Sequence, residues 1–364
     1  MSLQCGIVGL PNVGKSSLFN ALSNAGAEAA NFPFCTIDPN VGLVPVPDER
    51  LYKVHELTGS PKVTPTTIEF LDIAGLVKGA SEGKGKGNAF LSHIRQVDLI
   101  IHVVRCFDDD NVIHVEGSLD PMRDISIIED ELILKDLESV EKREESLEKA
   151  SKSNDKEVLF QLEVVRRLRS HLEEGETARS FEADEKEREA FSDLFLLSKK
   201  PVLYACNVSE EDLSDGNEHV DAVKEYADKR GDEVVKFCAR IESELAELDE
   251  EEQEAFLEEM GITDAGLERL INAAYKELGL ITFFTTGPKE TRAWTVRKGA
   301  KAPEAAGKIH TDFERGFIRA ETISYEDFVN CGSEKAAREA GKLRQEGKEY
   351  VVQDGDVILF RFNV

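Results

Sequence analysis

Short apolar runs alternate with segments of helical periodicity along much of this 364-residue chain. Residues 5–8, 67–72 and 99–104 are typical of buried strands, and residues 201–206 and 233–238 continue the series. Since parallel strands need a crossover between them, this alternation predicts an α/β fold with a doubly wound parallel sheet.

A charge-dense segment from about residue 120 to residue 197 interrupts this series. Two apolar stripes at helical spacing lie in it, formed by Ile133, Leu137, Val140 and Leu147 in the first half and by Leu162, Val165, Leu168 and Leu172 in the second. Residues 151–155, Ser-Lys-Ser-Asn-Asp, have the composition of a turn. The segment is predicted to be an inserted antiparallel α-helical hairpin of coiled-coil type, which either docks onto a partner or is a solvated lever without one.

The composition and hydrophobic spacing of the sequence change near residue 281. Residues 241–279 are acidic and have helical spacing, whereas the following part has short apolar runs punctuated by glycine and proline. Strands are predicted at residues 282–286, 293–296 and 357–362, with a helix at residues 302–315. A small α+β domain is therefore expected at the carboxyl end.

The net charge of −27 restricts the possible partners. Residues 281–364 contain 14 Lys and Arg against 13 Asp and Glu, so the acidic excess belongs to the rest of the chain. Because an acidic body repels a phosphate backbone, contact with nucleic acid requires a local basic surface. The six cysteines are far apart and form no C-x-x-C pair, which favours a reducing compartment such as the cytoplasm. No membrane association or export is expected, since no apolar run approaches the roughly 20 residues of a membrane span and the first residues lack a basic start.

Residues 9–16, Gly-Leu-Pro-Asn-Val-Gly-Lys-Ser, match the phosphate-binding pattern G-x-x-x-x-G-K-[ST]. The match lies between a strand-like run and a helix-like run, in which Leu18 and Leu22 share one face. In such a loop the backbone amides surround the phosphates, the lysine contacts the β and γ oxygens, and the serine hydroxyl ligates Mg²⁺. The predicted nucleotide contacts are Asn12, Val13, Gly14, Lys15, Ser16 and Ser17, with Ser16 also a metal ligand.

Residues 72–75, Asp-Ile-Ala-Gly, match D-x-x-G at the end of a predicted strand. At this place Asp72 is expected to hold Mg²⁺ and the amide of Gly75 to contact the γ phosphate. Residues 76–88, in which glycines alternate with lysines, are predicted to be a nucleotide-sensitive switch.

An earlier switch is predicted at residues 31–37, Asn-Phe-Pro-Phe-Cys-Thr-Ile. Its Thr36 hydroxyl is expected to be a second Mg²⁺ ligand, although a plain surface threonine is the alternative. Phe34 is predicted to lie against the nucleotide.

Residues 207–210, Asn-Val-Ser-Glu, stand where a guanine-specific enzyme carries N-K-x-D. Valine in the second place has no lysine stem to cover the base, and Glu210 reaches one methylene further than aspartate. Because selectivity built on buried hydrogen bonds is steep, a displaced acceptor relaxes or inverts the preference for guanine. Asn207, Val208 and Glu210 are therefore predicted to contact the base of ATP, with GTP a weaker ligand. Residues 237–240 are a further, weaker candidate for base contact.

The pattern of predicted elements, taken with these motifs, divides the chain into three predicted parts. They are a nucleotide-binding domain at residues 1–119 and 198–280, the helical hairpin at residues 120–197, and the carboxyl-terminal α+β domain at residues 281–364. The nucleotide-binding domain would thus be discontinuous in sequence.

Four motifs together resemble the YchF subfamily, the Obg-like ATPases of the translation-factor class of P-loop GTPases. They are residues 9–17, 31–36, 72–80 and 207–210, and the resemblance extends over essentially the whole chain. It implies a P-loop NTPase domain that prefers ATP over GTP, an inserted helical hairpin and a carboxyl-terminal TGS domain. Association with the ribosome or RNA is implied by the resemblance alone.

One catalytic side chain of related GTPases is absent from this sequence. In Ras-like enzymes a glutamine directly after D-x-x-G orients the attacking water, but this chain has Leu76 there. His114 is the candidate catalytic replacement, because it follows a predicted strand end and has Asp108, Asp109 and Asp110 nearby; an exposed loop histidine is the alternative. His102 and His93 are expected to be core and helix-packing residues.

Asn12 offers a second source of catalytic charge. Its side-chain oxygen is placed to help hold a monovalent cation beside the phosphates, and relatives stimulated by K⁺ carry such an asparagine. A loop-stabilising amide is the alternative.

Three classes of function are compatible with these patterns. The leading one is a switch ATPase that hydrolyses ATP, and GTP more weakly, with Mg²⁺, Lys15 and Asp72. The second is a GTP-binding translation protein or an RNA-binding module with incidental hydrolysis, which needs a basic path such as Arg292, Arg297, Lys298 and Lys301 with Trp294 between them. A metabolic kinase is third, because no acceptor lid is recognisable.

Overall fold

The structure is a computed structural model in which residues 3–28, 41–73, 87–109, 112, 114–262 and 264–363 are described. The chain forms two compact units, one of Met1–Leu43 with Glu69–Leu270 and one of Val44–Ile68 with Ile271–Val364. In chain order the strands are β1 (Gln4–Val8), β2 (Val41–Pro45), β3 (Val63–Thr64), β4 (Thr67–Asp72), β5 (Leu99–Arg105), β6 (Val202–Asn207), β7 (Glu233–Phe237), β8 (Leu280–Thr286), β9 (Thr291–Arg297), β10 (Phe317–Ile323), β11 (Arg344–Glu346) and β12 (Val357–Phe362). The helices are α1 (Lys15–Glu28), α2 (Glu49–Thr58), α3 (Gly87–Gln96), α4 (Pro121–Ala150), α5 (Lys156–Glu173), α6 (Glu185–Glu189), α7 (Glu218–Asp228), α8 (Ala239–Leu245), α9 (Glu250–Glu259), α10 (Gly266–Glu277), α11 (Ala302–Ile309), α12 (Thr311–Arg315), α13 (Tyr325–Cys331) and α14 (Glu334–Glu339).

The first unit is built on a sheet with the strand order β2-β4-β1-β5-β6-β7. Every pairing from β4 to β7 is parallel, which confirms the doubly wound fold predicted from the apolar runs. Strand β1 is central, and β4 and β5 flank it on opposite sides. The connection after β1 therefore lies where the strand order reverses, which is the usual ligand site of such a sheet.

Two long antiparallel helices, α4 and α5, are inserted in the chain between the neighbouring strands β5 and β6. The turn between them contains a short 3₁₀ segment, Ser151–Ser153, and then Asn154 in the left-handed region with φ 55°. Val140 and Leu147 of α4 are buried with Val165 and Leu168 of α5, so the two apolar stripes meet as the sequence predicts. The same cluster includes Phe191 from the returning chain, because the segment after α5 also packs onto the hairpin.

Buried carboxylates anchor α4 at the base of the hairpin. Asp136 is 2 % exposed and accepts hydrogen bonds from the amides of Leu197 and Ser198, at 2.7 and 2.8 Å, and from the Ser198 hydroxyl at 2.7 Å. Glu129 binds the Arg179 guanidinium at 2.8 Å and the Tyr204 hydroxyl at 2.9 Å. Since an unpaired buried charge is costly, these contacts fix α4 firmly to the sheet.

The second unit contains a mixed sheet with the order β11-β10-β12-β8-β9-β3. Strands β8 and β9 are antiparallel, as are β10 and β12, whereas β12 runs parallel to β8. Apolar clusters form on both faces, one around Phe283 with the alanines of α11, and one around Phe284 with Phe328 of α13. The unit is α+β, as the texture of the sequence predicts.

Two details of this unit differ from the predictions. Residues 44–68 belong to it, although the predicted boundaries place them in the nucleotide-binding domain. The reason is that Leu51 and Val54 of α2 pack into the cluster around Phe284, and β3 pairs in parallel with β9. The helix predicted at residues 302–315 is two helices, because His310 between them is extended, with φ −163°.

Among the described residues, none of the helices has both the length and the apolar composition that crossing a bilayer requires.

Candidate functional site

The connection between β1 and α1 is a tight backbone curl. Asn12 and Gly14 have φ angles of 64° and 102°, in a region that side chains rarely adopt. A Cβ atom on Gly14 would collide with the side-chain amide of Asn207, so glycine is required there for space as well as for conformation. The curl leads directly into α1. The first amides of a helix have no acceptor within the helix, so they are suited to bind an anion.

Lys15 occupies the first position of α1 and is only 8 % exposed. Its Nζ donates a 2.7 Å hydrogen bond to the carbonyl oxygen of Leu10, within the loop itself. Burial lowers the pKa of Lys15 to about 8, and the nearby Asp72 carboxylate opposes that shift. The lysine is thus held under the loop at a place where a polyanion would restore its preference for the charged form.

Asp72 ends β4 beside β1, where its backbone is in register with Ile7. Its Oδ1 is buried and has no hydrogen-bond partner in the part of the chain that the structure describes. Burial raises the pKa of Asp72, while Lys15 lowers it. A buried carboxylate oxygen without a partner is the donor expected of a metal site.

The donor set suits Mg²⁺ better than a metal that needs a full protein cage. Mg²⁺ takes one or two carboxylates and completes its octahedron with water and phosphate oxygens. Asp72 and the exposed hydroxyl of Ser16 fit that pattern, and no group of three or more His, Cys, Asp or Glu in the described ranges forms a cage. Other predicted contacts, Phe34, Thr36 and Gly75, lie outside the described residues, as do both predicted switches apart from residues 87–88.

Asn207 fastens the phosphate loop to the base-side loop. Its Nδ2 donates to the carbonyl oxygen of Val13 at 3.0 Å, and its Oδ1 accepts from the amide of Ala239 at 3.0 Å. The side chain is 3 % exposed, so both contacts are shielded from water. Asn207 therefore acts on the nucleotide pocket through the backbone of two loops, a role that the sequence pattern alone does not reveal.

The two following base-side residues differ in accessibility. Val208 is buried, and its amide donates to Phe237 at 2.9 Å, whereas the side chain of Glu210 is exposed. Only Glu210 is thus free to approach a base from solvent. The loop is stiffened by Asn217, whose Nδ2 donates to Asp212 at 2.8 Å and to the carbonyl oxygen of Cys106 at 2.7 Å. This role of Asn217 was not predicted from the sequence.

Of the remaining predicted contacts, Asn12 and Ser17 are exposed, at the loop and in the first turn of α1. Cys238, in the weaker base-side candidate, is buried just before α8. His102 is buried within β5, and burial lowers its pKa to about 4, as suits a core histidine.

His114 lies in the loop between β5 and α4. Its Nε2 is 2.8 Å from Oδ2 of Asp124, and its Nδ1 accepts a 3.1 Å hydrogen bond from the amide of Glu116. Asp124 belongs to the first turn of α4, and its other oxygen is bound by Arg123 at 3.0 Å. The carboxylate that holds His114 is therefore Asp124, whereas the acidic residues expected near it from the sequence were Asp108, Asp109 and Asp110, the last of which lies outside the described residues.

The basic residues predicted as one RNA path are dispersed. Arg292 stacks on Trp294, with its guanidinium carbon 4.1 Å from the ring centre, near the start of β9. Arg297 ends that strand, about 17 Å away at the usual rise, and strand alternation places it on the other face. Lys301 is paired with Glu349. These residues do not form a continuous basic strip.

Together, the central loop after β1, the buried lysine and the unpartnered aspartate oxygen define a P-loop nucleoside-triphosphate-binding protein. Comparison with known proteins agrees with this class. A family model described as "50S ribosome-binding GTPase" matches residues 4–207, and the model of the YchF GTPase carboxyl-terminal domain, described as "Protein of unknown function (DUF933)", matches residues 280–363. The chain belongs to the YchF subfamily of Obg-type P-loop GTPases and is a nucleoside-triphosphate hydrolase of that family.

Similar proteins match over the full length. The chain is 58 % identical to "Ribosome-binding ATPase YchF" of Bacillus subtilis (strain 168), with all of both chains covered. It is 48 % identical to "Obg-like ATPase 1" of Pongo abelii, over all of this chain and 93 % of that protein. The Schizosaccharomyces pombe YchF GTPase structure superposes with a TM-score of 0.90 at 42 % identity, covering 99 % of this chain and 98 % of that one. The family resemblance and the fold class predicted from the motifs are confirmed.

Proposed function

We propose that this protein is a cytoplasmic, nucleotide-dependent switch that hydrolyses ATP in preference to GTP and associates with the ribosome. The observation that carries the catalytic part is that a buried Lys15 and an Asp72 carboxylate whose Oδ1 has no hydrogen-bond partner among the described residues lie near each other at the phosphate loop. The ribosomal part is supported by the names of the relatives, several of which are called ribosome-binding ATPases.

Different groups of the loop bind different parts of the triphosphate. The amides from Asn12 to Ser17 bind phosphate oxygens, and Lys15 exchanges its contact with Leu10 for the β and γ oxygens. Ser16, Asp72 and Thr36 would hold Mg²⁺, and the ion would supply positive charge to offset that of the phosphates. Gly75 and Phe34 complete the contacts from the two switches, and Asn207 keeps the loop in shape.

Base preference follows from the two substitutions in the base-side motif. Val208 is buried and offers no stem to cover a base, so the affinity from this side depends on Glu210. A glutamate carboxylate displaced from the position of aspartate is a poor match for the two guanine donors. GTP remains a weaker substrate, and a GTP-specific translation protein is the alternative.

His114 replaces the missing glutamine in the proposed reaction. The amide of Glu116 can only donate, so Nδ1 of His114 is the unprotonated nitrogen and Nε2–H donates a hydrogen bond to Asp124. For catalysis, Nδ1 must exchange the Glu116 amide for the attacking water, which it then orients and deprotonates. The inserted helix α4 thereby holds the proposed catalytic base through Asp124.

Asn12 contributes to the same proposal. Its position in the exposed curl of the loop suits a ligand of K⁺ beside the phosphates, where the added positive charge acts as an arginine finger does. Comparing phosphate release in K⁺ and Na⁺ tests this, because Asn12→Ala is expected to abolish the difference between the two salts.

Equilibrium titration of the protein with ATP and with GTP at equal Mg²⁺ tests the base preference. We expect tighter binding of ATP, and a shift toward GTP in a Val208→Lys/Glu210→Asp variant. Phosphate release and co-sedimentation with purified ribosomes, each measured with ATP and with ADP, test the switch. GTP selectivity of the wild-type protein would favour the alternative, and ribosome binding that ignores the nucleotide would show that hydrolysis is incidental.

A further inference from the structure

Two arginines face each other directly on the sheet of the second unit. Arg319 of β10 and Arg361 of β12 are register partners in an antiparallel pair. Like charges in directly opposite positions destabilise a sheet, so such a pair requires a compensating contact or a function. Both side chains are nearly half exposed, at 44 and 47 %.

The compensating contact is a single buried carboxylate, Glu321. Its Oε1 accepts from Arg319 at 3.1 Å, and its Oε2 accepts from Arg361 at 3.0 Å and from Arg338 of α14 at 3.4 Å. The Glu321 side chain is 3 % exposed, whereas the three arginines are 44 to 52 % exposed. The carboxylate is thus covered by guanidinium groups that themselves face the solvent, and we call these three arginines the arginine cluster.

The cluster has more positive than negative charge. Arg338 also pairs with Glu334 on its own helix, which leaves three guanidinium groups against two carboxylates within the described residues. The hydrogen bonds to Arg361 and Arg319 lower the pKa of Glu321, so it stays ionised and keeps the arginines in place. Each arginine binds Glu321 through its Nη2, so its Nη1 remains available to a ligand, whereas Nε of Arg319 is buried.

The position of the cluster leaves it open to a large partner. By strand alternation Arg319 and Glu321 share a face with Ile323, which packs with Phe328 of α13 and Ala337 of α14. The helices therefore cover one end of this face, while the arginine end stays accessible. Elsewhere in the unit, Lys301 pairs with Glu349, Lys342 pairs with Asp327, and Arg344 lies near both Glu346 and Asp356.

We propose that Arg319, Arg338 and Arg361 bind the phosphodiester backbone of RNA. Guanidinium groups match phosphate oxygens in a bidentate geometry, and Glu321 orients them before the partner arrives. Since the whole chain has a net charge of −27, RNA is attracted only where positive charge is concentrated. The proposal deepens the proposed ribosome association by naming the surface and the chemistry of contact, and it does not involve the nucleotide site.

Binding of the full-length protein to a short labelled RNA duplex, measured by fluorescence anisotropy over a range of salt concentrations, tests the proposal. We expect Arg319→Gln/Arg361→Gln to weaken binding at least tenfold near 0.1 M salt and to reduce the slope of log affinity against log salt by about two. The matched control is Lys335→Gln/Lys342→Gln, which removes the same charge from the same unit outside the cluster. Melting temperature and ATP affinity verify that both variants are folded.

Each outcome decides the question. Equal RNA affinity in the arginine variant and the wild type, an equal loss in the control, or no RNA binding by the wild type would overturn the proposal. Co-sedimentation with ribosomes is measured in parallel: if both RNA affinity and ribosome binding are kept by the arginine variant, the proposed function stands and the surface assignment fails. If ribosome binding is lost while RNA affinity is unchanged, the cluster docks an acidic protein instead.

Discussion

His114 and Asp124 are joined by a 2.8 Å hydrogen bond between Nε2 and Oδ2, and both side chains are shielded, at 7 and 3 % exposure. The bond connects the loop after β5, at the nucleotide end of the sheet, with the first turn of the inserted helix α4. The position of the first turn of α4 and the orientation of His114 are thus linked. A partner that binds α4 is therefore expected to affect the orientation of the proposed catalytic base through Asp124.

Replacing Asp124 by Asn is expected to slow ATP hydrolysis at least tenfold with little change in ATP affinity. The amide can donate to or accept from Nε2, so the tautomer and orientation of His114 are no longer fixed, and loss of positioning is costly in rate. His114→Ala should lose more, about a hundredfold, because the base itself is removed. Single-turnover phosphate release and equilibrium ATP binding separate the two effects.

The control for this pair is Asp120→Asn. Asp120 caps the same helix through the amide of Arg123 but has no recorded contact with His114. If Asp120→Asn slows hydrolysis as much as Asp124→Asn, the effect reflects the stability of α4, and the positioning role is rejected. A wild-type rate in His114→Ala would remove the histidine from the mechanism altogether.

The pKa of Lys15 leads to a pH dependence of nucleotide binding. Burial lowers this pKa to about 8 in the free protein, so the lysine is mostly charged at pH 7 and mostly neutral at pH 9. If bound phosphate restores an ordinary lysine pKa, the affinity for ATP should fall roughly tenfold between these pH values. Isothermal titration at constant Mg²⁺ measures the change.

Lys15→Arg separates this effect from other titrating groups. Arginine stays charged throughout that range, so the variant should bind more weakly overall but lose its dependence on pH. The same tenfold fall in the arginine variant would assign the titration elsewhere. In the free protein the sign for stability is opposite: a depressed lysine pKa means that the unfolded chain binds the proton more tightly, so this residue favours folding increasingly as pH rises above about 8.

The sequence predicted the elements whose periodicity reflects burial. Strands β4 to β7 and the stripes of α4 and α5 follow directly from alternation and 3.6-residue spacing, since each face must be covered. No helix was predicted at α2, and the positions of Leu51 and Val54 in the sequence do not indicate against which sheet they pack. Residues 44–68 were predicted within the nucleotide-binding domain, whereas in the structure they cluster with the second unit.

The site was predictable where a motif fixes local geometry, and less so where distant residues meet. Lys15, Ser16 and Asp72 follow from the phosphate loop and from a strand end. The partner of His114 lies ten residues away across a loop and a helix start, and nothing in the spacing distinguishes Asp124 from the nearer acidic residues. The arginine cluster joins β10 and β12, which the sheet register brings together, with α14, which packs beside them.

Asp72→Asn is expected to have opposite effects on stability and on metal binding. In the free protein the buried Oδ1 has no partner among the described residues, and burial raises the pKa of the carboxyl, so the charge is held at a cost. Replacing it by a neutral amide should leave the melting temperature unchanged or higher without Mg²⁺. With Mg²⁺, the affinity for ATP should fall at least tenfold, because a ligand of the metal is lost.

Thermal unfolding with and without Mg²⁺ and ATP measures both halves of this prediction. Ser209→Ala is the matched control, since its hydroxyl binds Asp212 in the base-side loop and has no part in the proposed metal site. A lower melting temperature of the metal-free Asp72→Asn protein would indicate that the carboxylate stabilises the fold. Unchanged Mg²⁺ dependence would show that Asp72 is not a ligand.

Asn207 should be the base-side residue whose replacement most disturbs phosphate binding. Its amide group donates to Val13 in the phosphate loop and accepts from Ala239, so Asn207→Asp keeps the acceptor but places a carboxylate against the Val13 carbonyl. A buried partner left unsatisfied costs about 1 to 3 kcal/mol, which corresponds to a loss of roughly 5- to 150-fold in affinity if the loop must be reshaped to bind. ATP, ADP and inorganic triphosphate, titrated against wild type and Asn207→Asp, should all weaken together. Glu210→Gln is the control, because Glu210 is exposed. Its replacement should change the ratio of the affinities for ATP and GTP and leave the affinity for inorganic triphosphate unchanged. Weakened nucleotide binding with normal triphosphate binding in Asn207→Asp would instead mean that Asn207 contacts the base.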